Sequence, residues 1–212
     1  MHAVVEVIPF SNKGSLTGDL ALELLPWPLF SVPFRLTSEN LILSMALVST
    51  ILALTAITFN RTLLELLTLN VRVLIAGLIS AIALYLVFLL GHILASSIGL
   101  GQQVNLVYSI INMGYLELAL IPVIGFMEEA YWRGYLQETL VVRKLRVSWA
   151  LSTIPYALVH VTSGLAILVL AAWVVGLVLG FTARTQGLSA SIIAHVLWLY
   201  LVLYVLPTYR IL

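Results

Sequence analysis

Glu128 and Glu129 stand side by side in the run Glu128-Glu129-Ala130-Tyr131-Trp132-Arg133. On a helix, Glu129 and Arg133 lie four apart on one face, with the acid ahead of the base, which is the better order for an ion pair. Glu128 points about 100° away from Glu129 at 3.6 residues per turn. One carboxylate is therefore placed for neutralisation by Arg133, and the other is left free to meet something else. His160 and His195 each interrupt an apolar stretch, Tyr156-Ala157-Leu158-Val159-His160 and Ala194-His195-Val196-Leu197-Trp198. A carboxylate and an imidazole facing a small wet cavity can activate water, and a second imidazole can donate to the oxyanion of an attacked amide. The competing reading is structural: acids solvated at a helix end, and histidines that serve as hydrogen-bonded helix contacts. Two intramembrane histidines beside a carboxylate pair weigh against it. His92 has no such company and reads as a packing or helix-contact residue. Glu117 and Glu138 read as interfacial or solvated.

The rest of the chain says where this chemistry sits. It has 212 residues, 62% hydrophobic and 9% charged. Ordinary soluble domains are about 25% charged. So few charges cannot cover a water-soluble particle, and the composition equally excludes disorder. The expected fold is all-α, a polytopic integral membrane protein. The net charge of +1 offers no basic face for nucleic acid. With 0 cysteines there is no disulfide, thiolate nucleophile or thiolate metal ligand.

A span needs about 20 apolar residues. Residues 1–37, broken by Pro9, Pro26, Pro28 and Pro33, read as an N-terminal peripheral segment, with a short interfacial helix around 19–25. Trp27, Phe30 and Phe34 there suit the headgroup layer. Residues 38–212 form the transmembrane domain. Residues 40–60 make one span, with Ser38 as its N-cap. The uncharged run 73–116 divides at Gly99 and Gly101 into helices near 73–98 and 104–121. Pro122 and Gly125 disturb the second before a charged stretch, 128–146. Apolar stretches at 149–161, 165–183 and 189–206 bring the count to about six. No repeat marks a two-halved transporter. Arg61, Arg72, Arg143, Lys144, Arg146 and Arg184 fall on one side, which the positive-inside rule places in the cytoplasm. The carboxylate–imidazole site is then expected towards the cytoplasmic side. Measured along the helices, His160 and His195 reach one depth only if the helix carrying His160 starts outside the bilayer or tilts strongly.

Other hydrolytic chemistries lack their residues. No His is followed by Glu, so the paired-histidine zinc helix is absent. Asp19 is the only Asp, which rules out an aspartyl dyad. Gly187-Leu188-Ser189-Ala190 lacks the last Gly of a Gly-x-Ser-Gly motif, and no phosphate-binding Gly-Lys-Ser/Thr loop occurs.

Three motifs in order resemble the CPBP family of intramembrane proteases, also called the Abi or CAAX prenyl protease 2-like family. They are Glu128-Glu129-x-x-x-Arg133-Gly134, Tyr156-x-x-x-His160 with Tyr for the usual Phe, and His195 after the run Gly187-Leu188-Ser189-Ala190-Ser191. The resemblance covers about residues 110–200. It implies an endopeptidase acting on a membrane-associated peptide or protein, lipidated in one branch of the family. By matching position, Glu128 is the base that activates water with His160, His195 stabilises the oxyanion, and Glu129 and Arg133 shape the site. The Asn expected four residues after His195 is Leu199, so one oxyanion donor is missing unless Asn105, Asn112 or Trp198 replaces it. The family is discussed both with and without a metal. Two Glu and two His can ligate zinc in principle, but Arg133 beside Glu129 competes with a cation, and the expected cofactor is none. The expected partners are the bilayer and a peptide substrate. The rival reading is a non-catalytic adaptor or bacteriocin-immunity-type protein on the same scaffold. A small transporter or proton relay comes third.

Overall fold

The computed structural model describes residues 16–111 and 114–211. The expectations attached to Pro9 and Asn112 lie outside the described residues. No strand occurs among those described. The helices are α1 (Leu16–Leu24), α2 (Pro26–Ser31, wound on through Val32–Leu36), α3 (Leu41–Phe59), α4 (Val71–Ser97), α5 (Gly101–Ser109), α6 (Tyr115–Glu129, continued by the wider π-helical Ala130–Lys144), α7 (Thr153–Leu158, between the 3-10 turns Trp149–Ser152 and Val159–Ser163), α8 (Ala166–Gln186) and α9 (Leu188–Tyr200, continued by Leu201–Val205). Among the described residues, four helical segments are long and apolar enough to cross a membrane: Ser38–Phe59, Val71–Ser97, Ala166–Gln186 and Leu188–Arg210. With α6 and α7 they make the six-helix bundle that holds the site. The large apolar side chains these helices leave exposed, such as Leu47, Leu78, Leu90 and Phe181, face outward as lipid-facing residues must.

Two elements differ from the sequence reading. The helix expected over 104–121 is two helices. α5 stops at Ser109, and α6 starts at Tyr115, where the Glu117 carboxylate accepts the Gly114 N–H at 2.9 Å and closes the first turn. α6 then continues through the charged stretch to Lys144, with Glu129 and Arg133 paired inside the bundle. Pro122 lies within α6 without ending it. Proline removes the hydrogen bond to the carbonyl four residues back, here that of Leu118. The Tyr200 hydroxyl of α9 donates to that carbonyl at 2.9 Å. Tyr200→Phe therefore strands a backbone acceptor in the membrane. We expect it to cost about 1–3 kcal/mol, read as a lower melting temperature in detergent with the Pro122→Ala/Tyr200→Phe double variant recovering most of it. Ser38 does not cap α3; it belongs to a 3-10 turn, Ser38–Asn40, that leads into it.

α8 and α9 are joined by Gly187 alone, at φ +97, a backbone conformation open to glycine. This one-residue turn sets them antiparallel and in fixed register. The Ser191 hydroxyl donates to the Leu179 carbonyl at 3.1 Å. α6 lies close against α9 at Gly125, where a Cβ would come within 2.6 Å of Val196. Small residues at such crossings let backbones approach. α7 lies against α8, with Trp149 beside Gly180, and Thr153 and Tyr156 beside Gly176. Tyr156 and His195 line the same cavity.

The N-terminal helices are packed on this bundle. Phe30 is fully buried and sits against the rings of Trp132 and His160, so it is a core residue and not a headgroup one. Trp27 keeps partial exposure. The Arg35 Nε donates to the Thr162 carbonyl at 2.6 Å, and Tyr131 donates to the Leu22 carbonyl at 2.9 Å.

Candidate active site

Five residues expected to act together do meet. Glu128, Glu129, Arg133, His160 and His195 are all buried, with Glu129 at 0% exposure. They come from α6, from the turn after α7 and from α9. Both carboxylates sit at the point where α6 passes from α to π winding, a feature often found at functional sites.

Glu129 is fully partnered. Its Oε1 lies 3.2 Å from Arg133 Nη1 and 2.9 Å from His195 Nδ1, and its Oε2 accepts from the Ser191 hydroxyl. The Arg133 guanidinium lies over the Tyr156 ring at 4.2 Å, with Nη2 turned to the Val175 carbonyl at 3.5 Å. Four helices are thus tied to one carboxylate. Glu128 is different. Its one hydrogen-bond partner among the described residues is the Tyr156 hydroxyl, at 3.4 Å, a weak contact. The division into a neutralised and a free carboxylate, expected from the spacing, is what the fold contains.

The hydrogen bonds also fix the histidine tautomers. His160 Nδ1 lies 2.9 Å from the Tyr156 carbonyl. A carbonyl only accepts, so Nδ1 carries the proton and Nε2 presents a lone pair. His195 Nδ1 faces the Glu129 carboxylate, and the same reasoning leaves its Nε2 unprotonated in the neutral ring. Three aromatic rings hold the His160 imidazole: Tyr156 at 5.3 Å, Phe30 at 5.4 Å and Phe34 at 5.9 Å between centroids.

Glu128, Tyr156, His160 and His195 line one cavity of about 470 Å³. The lining omits Glu129 and Arg133, which stand behind it. The remaining wall is almost wholly apolar, from Ile42, Phe88, Leu168, Ala172, Leu199 and their neighbours. Far along it lies a second polar cluster. Tyr108 donates to the Val202 carbonyl at 3.0 Å and lies 3.1 Å from the Thr208 hydroxyl, which is 3.0 Å from His92 Nδ1. His92 is a helix contact of this network.

The donor set Glu128, His160 and His195 is of the chemical kind zinc accepts. Among the described residues, however, no three His, Asp or Glu side chains are grouped so as to hold one ion. Of the three replacements for the absent Asn, Asn105 is exposed on α5 and Asn112 lies outside the described residues. Trp198 lines the cavity beside Leu199, and its buried indole N–H has no hydrogen-bond partner among the described residues.

Two contributors escaped the sequence reading. Ser191 lies one helical turn before His195, so the spacing alone puts both on the face that meets Glu129. Tyr156 takes three roles at once: hydroxyl to Glu128, carbonyl to His160, and ring under Arg133.

Residues 110–201 match the family model described as type II CAAX prenyl endopeptidase, Rce1-like. Over this segment the chain is similar to the Rce1-like family. The Rce1-like segment holds all five site residues and agrees with the resemblance carried by the three motifs. It takes in α6 to α9 and leaves out α1 to α5, so Phe30 and Phe34 reach the site from outside it. No curated protein and no solved structure matches the chain. The chain is an integral membrane protein with a segment similar to a protease family.

Proposed function

We propose that the protein is an intramembrane endopeptidase that hydrolyses a peptide bond of a membrane-associated peptide or protein with water activated by Glu128 and His160. The observation that supports this reading is the single cavity shared by Glu128, His160 and His195, with the Glu129–Arg133 pair behind it.

The groups divide the work as follows. A water held between Glu128 and His160 gives one hydrogen bond to the carboxylate and the other to the bare Nε2 of the imidazole. Glu128 removes a proton as the water oxygen bonds to the amide carbon. The carbonyl oxygen, now an oxyanion, receives a hydrogen bond from His195 in its doubly protonated form, whose charge Glu129 balances. Glu128 then passes its proton to the amide nitrogen as the C–N bond breaks. Behind the cavity, Arg133 balances the charge of Glu129.

The test is a cleavage screen of membrane-tethered peptides with purified wild type, Glu128→Ala and His160→Ala. Wild-type turnover that both variants lose supports the assignment. Turnover retained by either variant contradicts it. A wild type inert on every peptide, with the fold intact, favours a non-catalytic role for the scaffold, to which the Leu199 position would then belong. We also expect turnover to continue unchanged after dialysis against a strong chelator. Loss under chelation that zinc restores would transfer water activation to a metal.

A further inference from the structure

The position of the cavity along the bundle bears on how substrate arrives. Arg61, Arg72, Arg143, Lys144, Arg146 and Arg184 are brought to one end. Arg143 and Arg184 share Glu138, at 2.9 and 3.7 Å. Asn60, beside Arg61, donates to Thr139 at 3.1 Å, and the Thr68 N–H donates to Ser189 at 2.9 Å. The basic ends of α4, α6 and α8 therefore coincide, and the bias of basic residues sets orientation. Among the described residues, the opposite end has Arg35 and Arg210.

The cavity lies in the half away from the basic end. Its walls are the start of α3, the second half of α4 (Val87 to Ile98), α5, the first half of α8 (Ile167 to Val175) and α9 from His195 onward. Glu128, His160 and His195 form its inner end. Several wall residues are at the same time exposed on the outside of the bundle: Leu94 and Ile98 on α4, and Leu170 and Trp173 on α8. The mouth is thus lateral, between the diverging ends of α4 and α8. Near the basic end these two helices are held together, with the Thr182 hydroxyl donating to Ser80 at 3.0 Å. Beyond the mouth α5 closes the floor, where the Gln103 side chain accepts the Ile167 N–H at 3.1 Å.

From this geometry we infer that substrate enters sideways between α4 and α8 from the half of the bilayer that faces away from the cytoplasm. The occupant is the apolar segment of a membrane-embedded peptide whose scissile bond lies in, or slides into, that outer half. The inference departs from the cytoplasm-facing site expected from the sequence, which followed from helix counting without the position of the mouth. It rests on the endopeptidase reading only for the identity of the occupant.

The experiment uses the absence of cysteine from the chain, which lets one introduced thiol report alone. Gln102→Cys places it on exposed α5 at the mouth, and Thr185→Cys at the basic end. Intact cells expressing each variant are treated with a membrane-impermeant methanethiosulfonate. Labelling of Gln102→Cys from outside, with Thr185→Cys reacting only after permeabilisation, is the expected result; the reverse pattern overturns the inference. A second readout uses two reporters that carry one apolar peptide stretch in either the outer or the inner half of the bilayer. We expect cleavage of the outer one at least tenfold faster, and equal or faster cleavage of the inner one overturns the inference. If neither is cut while the labelling is as expected, the assignment of the mouth stands and the endopeptidase reading is the one that falls.

Discussion

Replacing Glu128 by Gln is expected to lower turnover by about 10²–10⁴-fold, the range a positioned general base contributes, and to leave the fold as stable as before. The two halves of this prediction have separate causes. The carboxylate is the free one of the pair, so its proton-accepting oxygen is what catalysis loses. Its contact to Tyr156 at 3.4 Å is weak, so little structure goes with it, and a buried charge is removed. Activity and melting temperature measured on the same purified samples check both halves. A variant that loses stability in proportion to activity would make Glu128 a structural residue.

The opposite pattern is expected for Arg133→Met. The guanidinium is 3.2 Å from Glu129 and stacked on Tyr156. Its removal leaves a fully buried carboxylate with only His195 and Ser191 for company. Breaking such a pair costs about 3–5 kcal/mol, and for chains of this size each kcal/mol is worth about 2–4 °C of melting temperature. Activity falls as well, because Glu129 orients His195. The double variant Glu129→Gln/Arg133→Met removes both charges, so it should recover much of the stability while staying inactive. Additive losses in the double variant would mean that the two side chains act independently, against the geometry.

Much of the site was legible because helical spacing is strict. The i,i+4 relation of Glu129 and Arg133, and the quarter-turn offset of Glu128, foretold which carboxylate is paired and which is not. Isolated histidines in apolar runs were equally readable, since an ionisable group in a span costs about 2.5–3.5 kcal/mol and must be answered by a partner or a cavity. What stayed hidden depended on tertiary partners. Pro122 reads as a helix end because its missing N–H is visible in the sequence, while the Tyr200 hydroxyl that compensates it comes from 78 positions away. The partners of Glu129 and Glu138 on other helices, Ser191, His195 and Arg184, stayed hidden for the same reason. Phe30 reads as an interfacial ring because nothing local says that α2 lies on His160. The site was expected towards the cytoplasmic side from helix counting alone, without the cavity lining that α4 and α8 contribute.

In the proposed mechanism Glu128 and His160 hold one water inside the bundle, and His195 faces the attacked carbonyl in the same cavity. Rotational-echo NMR on membrane-reconstituted protein, with ¹³C in the glutamate carboxyls and ¹⁵N in the histidine rings, measures it directly, with Glu128→Gln and single His→Gln controls to assign each pair. The account predicts Nε2 of both His160 and His195 within about 6 Å of the Glu128 carboxyl carbon, the reach of two hydrogen bonds through a shared water. A dipolar coupling that places either ring well beyond that distance would contradict it.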